Sequence, residues 1–176
     1  MKQNANCGMH VNIDLANFGQ DRETQLECAR KLYYVINKHY SFFKVAFNRY
    51  TRSTTYCGQC RDRQRIKMAD ESYLYSMPDD HYQCMNYSHI RTGRLEIRLV
   101  GGQKNFATFR NTMETIFHLL SAVQKLSWSD LDDLSKVFKG CNSYVFDRLT
   151  KCRNEMVMTD DDIEKIRPTV KEVSYI

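Results

Sequence analysis

Charged and aliphatic residues alternate through Arg94-Leu95-Glu96-Ile97-Arg98-Leu99, followed by Val100, the sharpest pattern in the chain. A period of two predicts a β-strand with Leu95, Ile97 and Leu99 on one face and Arg94, Glu96 and Arg98 on the other. Gly101-Gly102 ends it. A second strand of the same kind is predicted over 7–14, where Met9, Val11 and Ile13 share one face and His10, Asn12 and Asp14 the other. Placed in one sheet, the two strands present His, Asn, Glu and Arg on a single polar surface above an apolar underside.

The other patterns are mostly helical. Asn17-Phe18-Gly19-Gln20 reads as a turn, after which Asp21 caps a helix to about Tyr40. Its apolar stripe is Leu26, Ala29, Tyr33, Ile36 and Tyr40. Residues 42–47 fit either a helix or a strand, 48–60 an irregular polar loop, and 61–80 a highly charged stretch closed by a Met-Pro-Asp-Asp turn. The stretch 81–89 reads as extended. From Asn105 onward Phe106, Phe109, Met113, Ile116, Phe117, Leu120 and Val123 follow a helical period, and the Phe and Met residues among them are expected in the core. Ser127 or Ser129 caps a further helix, with Leu131, Leu134, Val137 and Phe138 inward and a stop at Gly140. Another helix covers about 142–153, and Thr159-Asp160-Asp161-Asp162 caps a short last one.

The class expected is α+β, an antiparallel sheet backed by helices. Residues 1–126 form the sheet-containing core, 127–167 a helical appendage and 168–176 a tail.

At 176 residues the chain fits one domain with a proper core. A net charge of +5 suits a phosphate-bearing ligand or nucleic acid, and equally an ordinary surface. No apolar run approaches the ~18 residues of a membrane span, and no basic-then-apolar leader begins the sequence, so a soluble, cytoplasmic protein without a membrane partner is expected. Seven cysteines, an odd number without a secretion signal, favour reduced thiols or a metal site over a disulfide framework.

Four motifs now stand in order: Gly8-Met9-His10-Val11, then Arg49 and Arg52 ahead of Tyr56-Cys57, then Asn86 within 82–87, then Arg94-Leu95-Glu96-Ile97-Arg98 before a long helix. Together they resemble the putative amidoligases, carboxylate–amine ligases of the glutamine synthetase-like superfamily, over about residues 7–125. The resemblance implies the fold of the C-terminal half of such a catalytic domain. It also implies ATP-dependent ligation of a small-molecule or peptide carboxylate to an amine through an acyl phosphate.

The chemistry needs these residue types. Magnesium takes carboxylate oxygens, and arginines stabilise the charge on a transferring phosphoryl group. By carry-over, His10 lies beside metal or ATP phosphate and Glu96 ligates a metal. Arg98 holds the transferring phosphoryl group, and Arg94 with Arg49 or Arg52 contacts nucleotide or phosphate. Asn12 and Asn86 orient substrate. Complete members also carry an N-terminal half with a Glu-x-Glu metal strand. The resemblance therefore implies that a second polypeptide or another copy supplies that half, that the chain is a fragment, or that it is an inactive relative which still binds ligand.

A second reading stands beside this one. Cys57-Gly58-Gln59-Cys60 and His81-Tyr82-Gln83-Cys84 are two pairs of zinc-type ligands with ribbon-like spacing, so Cys57, Cys60, His81 and Cys84 are candidates for structural zinc. Arg61-Asp62-Arg63-Gln64-Arg65-Ile66-Lys67 is a basic run near tyrosines that suits a nucleic-acid backbone or a solvated loop. The resulting alternative is a small basic module, zinc-stabilised, that binds nucleic acid or protein without catalysis.

Overall fold

The computed structural model describes residues 8–49, 58–59, 65–77, 83–152 and 160–167. In chain order the elements are β1 (Gly8–Asp14), α1 (Arg22–Lys38), α2 (Tyr40–Ala46), α3 (Glu71–Ser76), β2 (Met85–Asn86), β3 (Arg94–Gly101), α4 (Phe106–Lys125), α5 (Leu134–Val137), α6 (Ser143–Cys152) and α7 (Asp160–Ile166). Single 3-10 turns occur at Leu15–Phe18, Arg65–Met68, Ile90–Thr92 and Asp130–Asp132. The fold is α+β.

Both amphipathic strands form, and they pair with each other. The sheet is antiparallel throughout with order β1-β3-β2, so β3 is central. Ile13 faces Leu95 and Val11 faces Ile97, which puts the apolar sides of the two strands together in the core. The ladder is irregular between Met9 and Val11: Met9 faces Val100 and Val11 faces Ile97, so β3 carries one extra residue there. This β-bulge lets Leu99 and Val100, consecutive in sequence, both be buried. Of the extended stretch expected over 81–89, the described residues 83–89 hold β2, two residues long, and an isolated bridge at Gln83. The Asn86 Oδ1 accepts the Ser88 N–H at 2.8 Å and bends the chain, and Gly93 at φ 81° turns it into β3.

α1 is the centre of the helical layer. Asp21 caps it by accepting the Thr24 N–H at 2.8 Å, as the sequence predicts. Burial exceeds the predicted stripe: Cys28, Leu32, Tyr34 and Val35 are also inside, so the helix is covered on nearly every side. Its polar groups are matched accordingly. Lys31 is paired with Glu27 at 2.9 Å, the Asn37 Nδ2 donates to the Tyr33 carbonyl at 2.8 Å, and the Tyr87 hydroxyl donates to the Ala29 carbonyl at 2.8 Å. The Arg22 guanidinium grips Glu71 at 2.7 Å and the Ile90 carbonyl at 2.6 Å, tying α1 to α3 and to the turn before β3. The single helix expected to reach Tyr40 breaks at His39, and of residues 42–47 all but Phe47, the cap, prove helical.

α4 overturns the expectation that its Phe residues are core, while Met113 does pack against it. Thr112, Thr115, Ile116, Leu119 and Val123 are the buried row, while Phe106 is 73% exposed, Phe117 57% and Phe109 39%. Met113 is half-buried. The buried threonines lose no hydrogen bonds: the Thr112 hydroxyl donates to Gln103 Oε1 at 3.1 Å and the Thr115 hydroxyl to the Asn111 carbonyl at 2.7 Å.

The helices after Lys125 share the core. Leu131, Val137, Phe138, Val145 and Leu149 join it, with Phe138 against the rings of Phe42 and Phe43. The one helix expected from Ser127 or Ser129 to Gly140 is divided, and Asp133 caps its α5 part. From α6, the buried Arg148 donates to the Ala46 carbonyl at 2.8 Å and the Val45 carbonyl at 2.7 Å, satisfying the orphan end of α2.

Two half-buried histidines donate to backbone carbonyls, His39 to Leu131 and His118 to Val137, each at 3.0 Å. Burial lowers both pKa values and outweighs the carbonyl bonds, which act the other way. The fold thus favours neutral imidazole, and the unfolded chain takes up protons first as pH falls below about 6.5. Their contribution is complete above that pH and declines beneath it. Urea unfolding should therefore show a lower midpoint at pH 5.5 than at pH 7.5, with the gap narrowed in a His39→Gln/His118→Gln double variant.

Candidate functional site

The polar face of the sheet gathers most of the predicted residues. Asn12, Glu96 and Asn86 form one row across β1, β3 and β2. His10 lies two residues before Asn12 on the same face, beside the bulge that carries Arg98. Arg94 and Asp14 face each other at the far end, where Arg94 is exposed.

Glu96 is the hub of this face. Its Oε1 meets His10 Nδ1 at 2.8 Å, and its Oε2 accepts from Arg98 Nε at 2.7 Å and from Asn86 Nδ2 at 3.4 Å. Glu96 and Arg98 are half-buried, and Asn86 is buried. Burial pushes the Glu96 carboxyl up, but the Arg98 hydrogen bond and charge, joined by His10 and Asn86, outweigh it and hold the pKa below its usual value. With both oxygens engaged, Glu96 chiefly orients its neighbours. His10, exposed and held through Nδ1, keeps Nε2 for a proton, a metal ion or a phosphoryl oxygen.

Arg49 reaches this face by a route that sequence reading misses. Two residues past α2, Asn48 adopts the left-handed conformation at φ 62° and donates from Nδ2 to the Gly102 carbonyl at 2.7 Å. The Gly101 N–H donates to the Phe47 carbonyl at 2.9 Å, so the segment lies flat across the end of β3. A Cβ at Gly101 would stand 2.0 Å from the Asn48 carbonyl oxygen, and one at Gly8, its register partner, 2.2 Å from Arg49 Nη1. The two glycines clear the space the arginine enters. The signal was present in Gly8 and Gly101, but only the register shows that they are opposite each other.

Arg49 is 7% exposed, and its acceptors among the described residues are sparse: Nη1 donates to the Val100 carbonyl at 3.4 Å, and Nε has no partner there. A buried guanidinium so poorly matched by acceptors is electrostatically suited to an anion.

Arg52, Cys57, Cys60 and His81 lie outside the described residues. Cys84 is buried, its Sγ donating to Asn37 Oδ1 at 3.5 Å. Its N–H donates to the Gly58 carbonyl at 2.9 Å, and Gly58 bridges to Gln83. Among the described residues, no three His, Cys, Asp or Glu side chains converge as a metal-ion cage. Among them, too, no helix is long and apolar enough to cross a membrane.

The close approach at Gly101 has a measurable cost. Gly101→Ala must displace backbone rather than a flexible side chain, and a loss of about 1–3 kcal/mol is expected in urea unfolding, as for other overpacked sites.

Compared with protein-family models, curated proteins and solved structures, the chain matches none.

Proposed function

We propose that the chain is an amidoligase-like component of an ATP-dependent carboxylate–amine ligase, with the fold of the C-terminal half of a glutamine synthetase-like catalytic domain. One observation supports this above others: Glu96 holds His10 at 2.8 Å and Arg98 at 2.7 Å on the same sheet face. That is the neighbourhood the resemblance requires of these side chains.

When bound, ATP with magnesium supplies the phosphoryl group that makes a carboxylate open to attack by an amine. In this reading Arg98 and Arg49 stabilise charge on the oxygens of the transferring group, from positions fixed before it arrives. His10 Nε2 faces metal or phosphate, and Glu96 sets the orientation of both His10 and Arg98. Arg94 and Arg52 contact nucleotide, while Asn12 and Asn86 orient the substrate. Magnesium takes an octahedron of oxygens, and Glu96 with both oxygens engaged supplies little of it. The reading therefore draws further carboxylates from additional polypeptide or another copy.

Isothermal titration with magnesium and a non-hydrolysable ATP analogue tests the reading. Binding is expected in the wild type and should vanish in Glu96→Ala and Arg98→Ala. A wild-type titration without heat defeats the proposal.

A second reading, a zinc-stabilised module that binds nucleic acid or protein, draws on one observation. The Gly58–Gln83 bridge and the Cys84-to-Gly58 hydrogen bond join one residue of the first Cys/His stretch to two of the second. It predicts stoichiometric zinc by metal analysis, removed by Cys57→Ser or His81→Ala. Zinc-free purified protein disposes of it.

A further inference from the structure

The outward side of α4 carries an apolar stripe whose three phenylalanine rings the protein's own core does not use, while Met113 and Leu120 rest partly against that core. Phe106, Phe109, Met113, Phe117 and Leu120 recur at spacings of three and four, and run about 21 Å along one side of the helix. Phe106 is 73% exposed, Phe117 57% and Phe109 39%, with Met113 and Leu120 half-buried between them. Neighbouring charges are drawn aside. The Arg110 guanidinium stacks 3.9 Å from the Tyr144 ring, and Glu114 accepts from Asn142 Nδ2 at 2.8 Å, both toward α6. The stripe itself bears no charged residue.

From this face we infer that the chain forms a two-fold dimer in which α4 packs antiparallel against α4 of a second copy. The spacing is self-complementary. A two-fold axis beside Met113 sets Phe106 against Leu120 of the second copy and Phe109 against its Phe117, while Met113 meets its own counterpart. Large thus faces large along about four turns, and the helix macrodipoles oppose each other favourably. An isologous contact of this kind needs only one surface, the one present here.

The area agrees with such a contact. At about 200 Å² per ring, the three phenylalanines leave about 340 Å² in water. Two copies remove about twice that, about 680 Å² of ring surface, which at an interface's usual apolar share of about 57% corresponds to about 1,200 Å² in total, the lower bound of a standard interface. The dimer is therefore expected to be reversible and dependent on concentration.

This inference is independent of the ligase reading. Sedimentation equilibrium across a wide concentration range should show the wild type passing from the mass of one chain to that of two. Phe106→Asp and Phe117→Asp should stay at one chain's mass. Both positions are exposed, and an unchanged far-ultraviolet circular dichroism spectrum will show that the variants fold. Met68→Asp, at the most exposed large apolar side chain away from α4, should leave the association untouched. Met113→Cys should give a covalent dimer on mild oxidation that the parent protein does not. A single-chain mass at every concentration, a dimer that survives Phe117→Asp, or the absence of the Met113→Cys cross-link each overturns the proposal.

Discussion

Pairing of β1 with β3 sets Asn12 against Glu96 and Ile13 against Leu95, and both layers of the molecule inherit that register. A shift of one residue would turn Val11 and Ile13 to solvent and His10 into the core, so the hydrophobic set and the polar set fix each other. The register also places Gly8 opposite Gly101, at the end where the chain leaving α2 must cross. Sheet pairing, the bulge and the entry of Arg49 are therefore parts of one constraint. The polar face gathers because the apolar face is buried.

The helical layer answers the same constraint from the other side. α1 is enclosed by the sheet, by α2 and by the later helices, which is why it tolerates only polar groups with immediate partners, such as Lys31 beside Glu27 and Asn37 on the Tyr33 carbonyl. Phe42, Phe43, Phe47 and Phe138 stack near one another in the interior, at ring separations of 5.1 to 6.2 Å. Such a cluster draws its stability from area removed from water and from the edge and tilted ring geometries. It also joins a residue after Lys125 to one before Asn48, so the late helices are part of the same interior.

How far the sequence foretold this depends on the length of each pattern. β1, β3, α1 and α4 carry six or more residues of regular period, and the caps Asp21 and Asn105 of the two helices fall where side-chain chemistry requires. α3 and the 3-10 turns are too short to show a period, and residues 42–47 carry no polar face to decide between helix and strand. In α4 the period identified the helix but not its inward side. Hydrophobicity ranks Phe above Thr, whereas burial of Thr112 and Thr115 rests on acceptors at Gln103 and Asn111 that no linear reading reveals. For the site, alternation placed His10 and Glu96 on corresponding faces. Their contact, and the arrival of Arg49, needed the bulge and the left-handed turn at Asn48.

Arg148 gives the architecture an indivisible character. Its guanidinium holds the carbonyls of Val45 and Ala46, while Phe47, Asn48 and Arg49 bond to β3 and the residue that follows it. Five consecutive residues are thus gripped from both sides, by a helix near the end of the chain and by the central strand. Severing the polypeptide after α4 would leave the lower jaw of this vice intact and take away the upper one. Arg49 would then lose its footing, although the cut lies far along the chain from it.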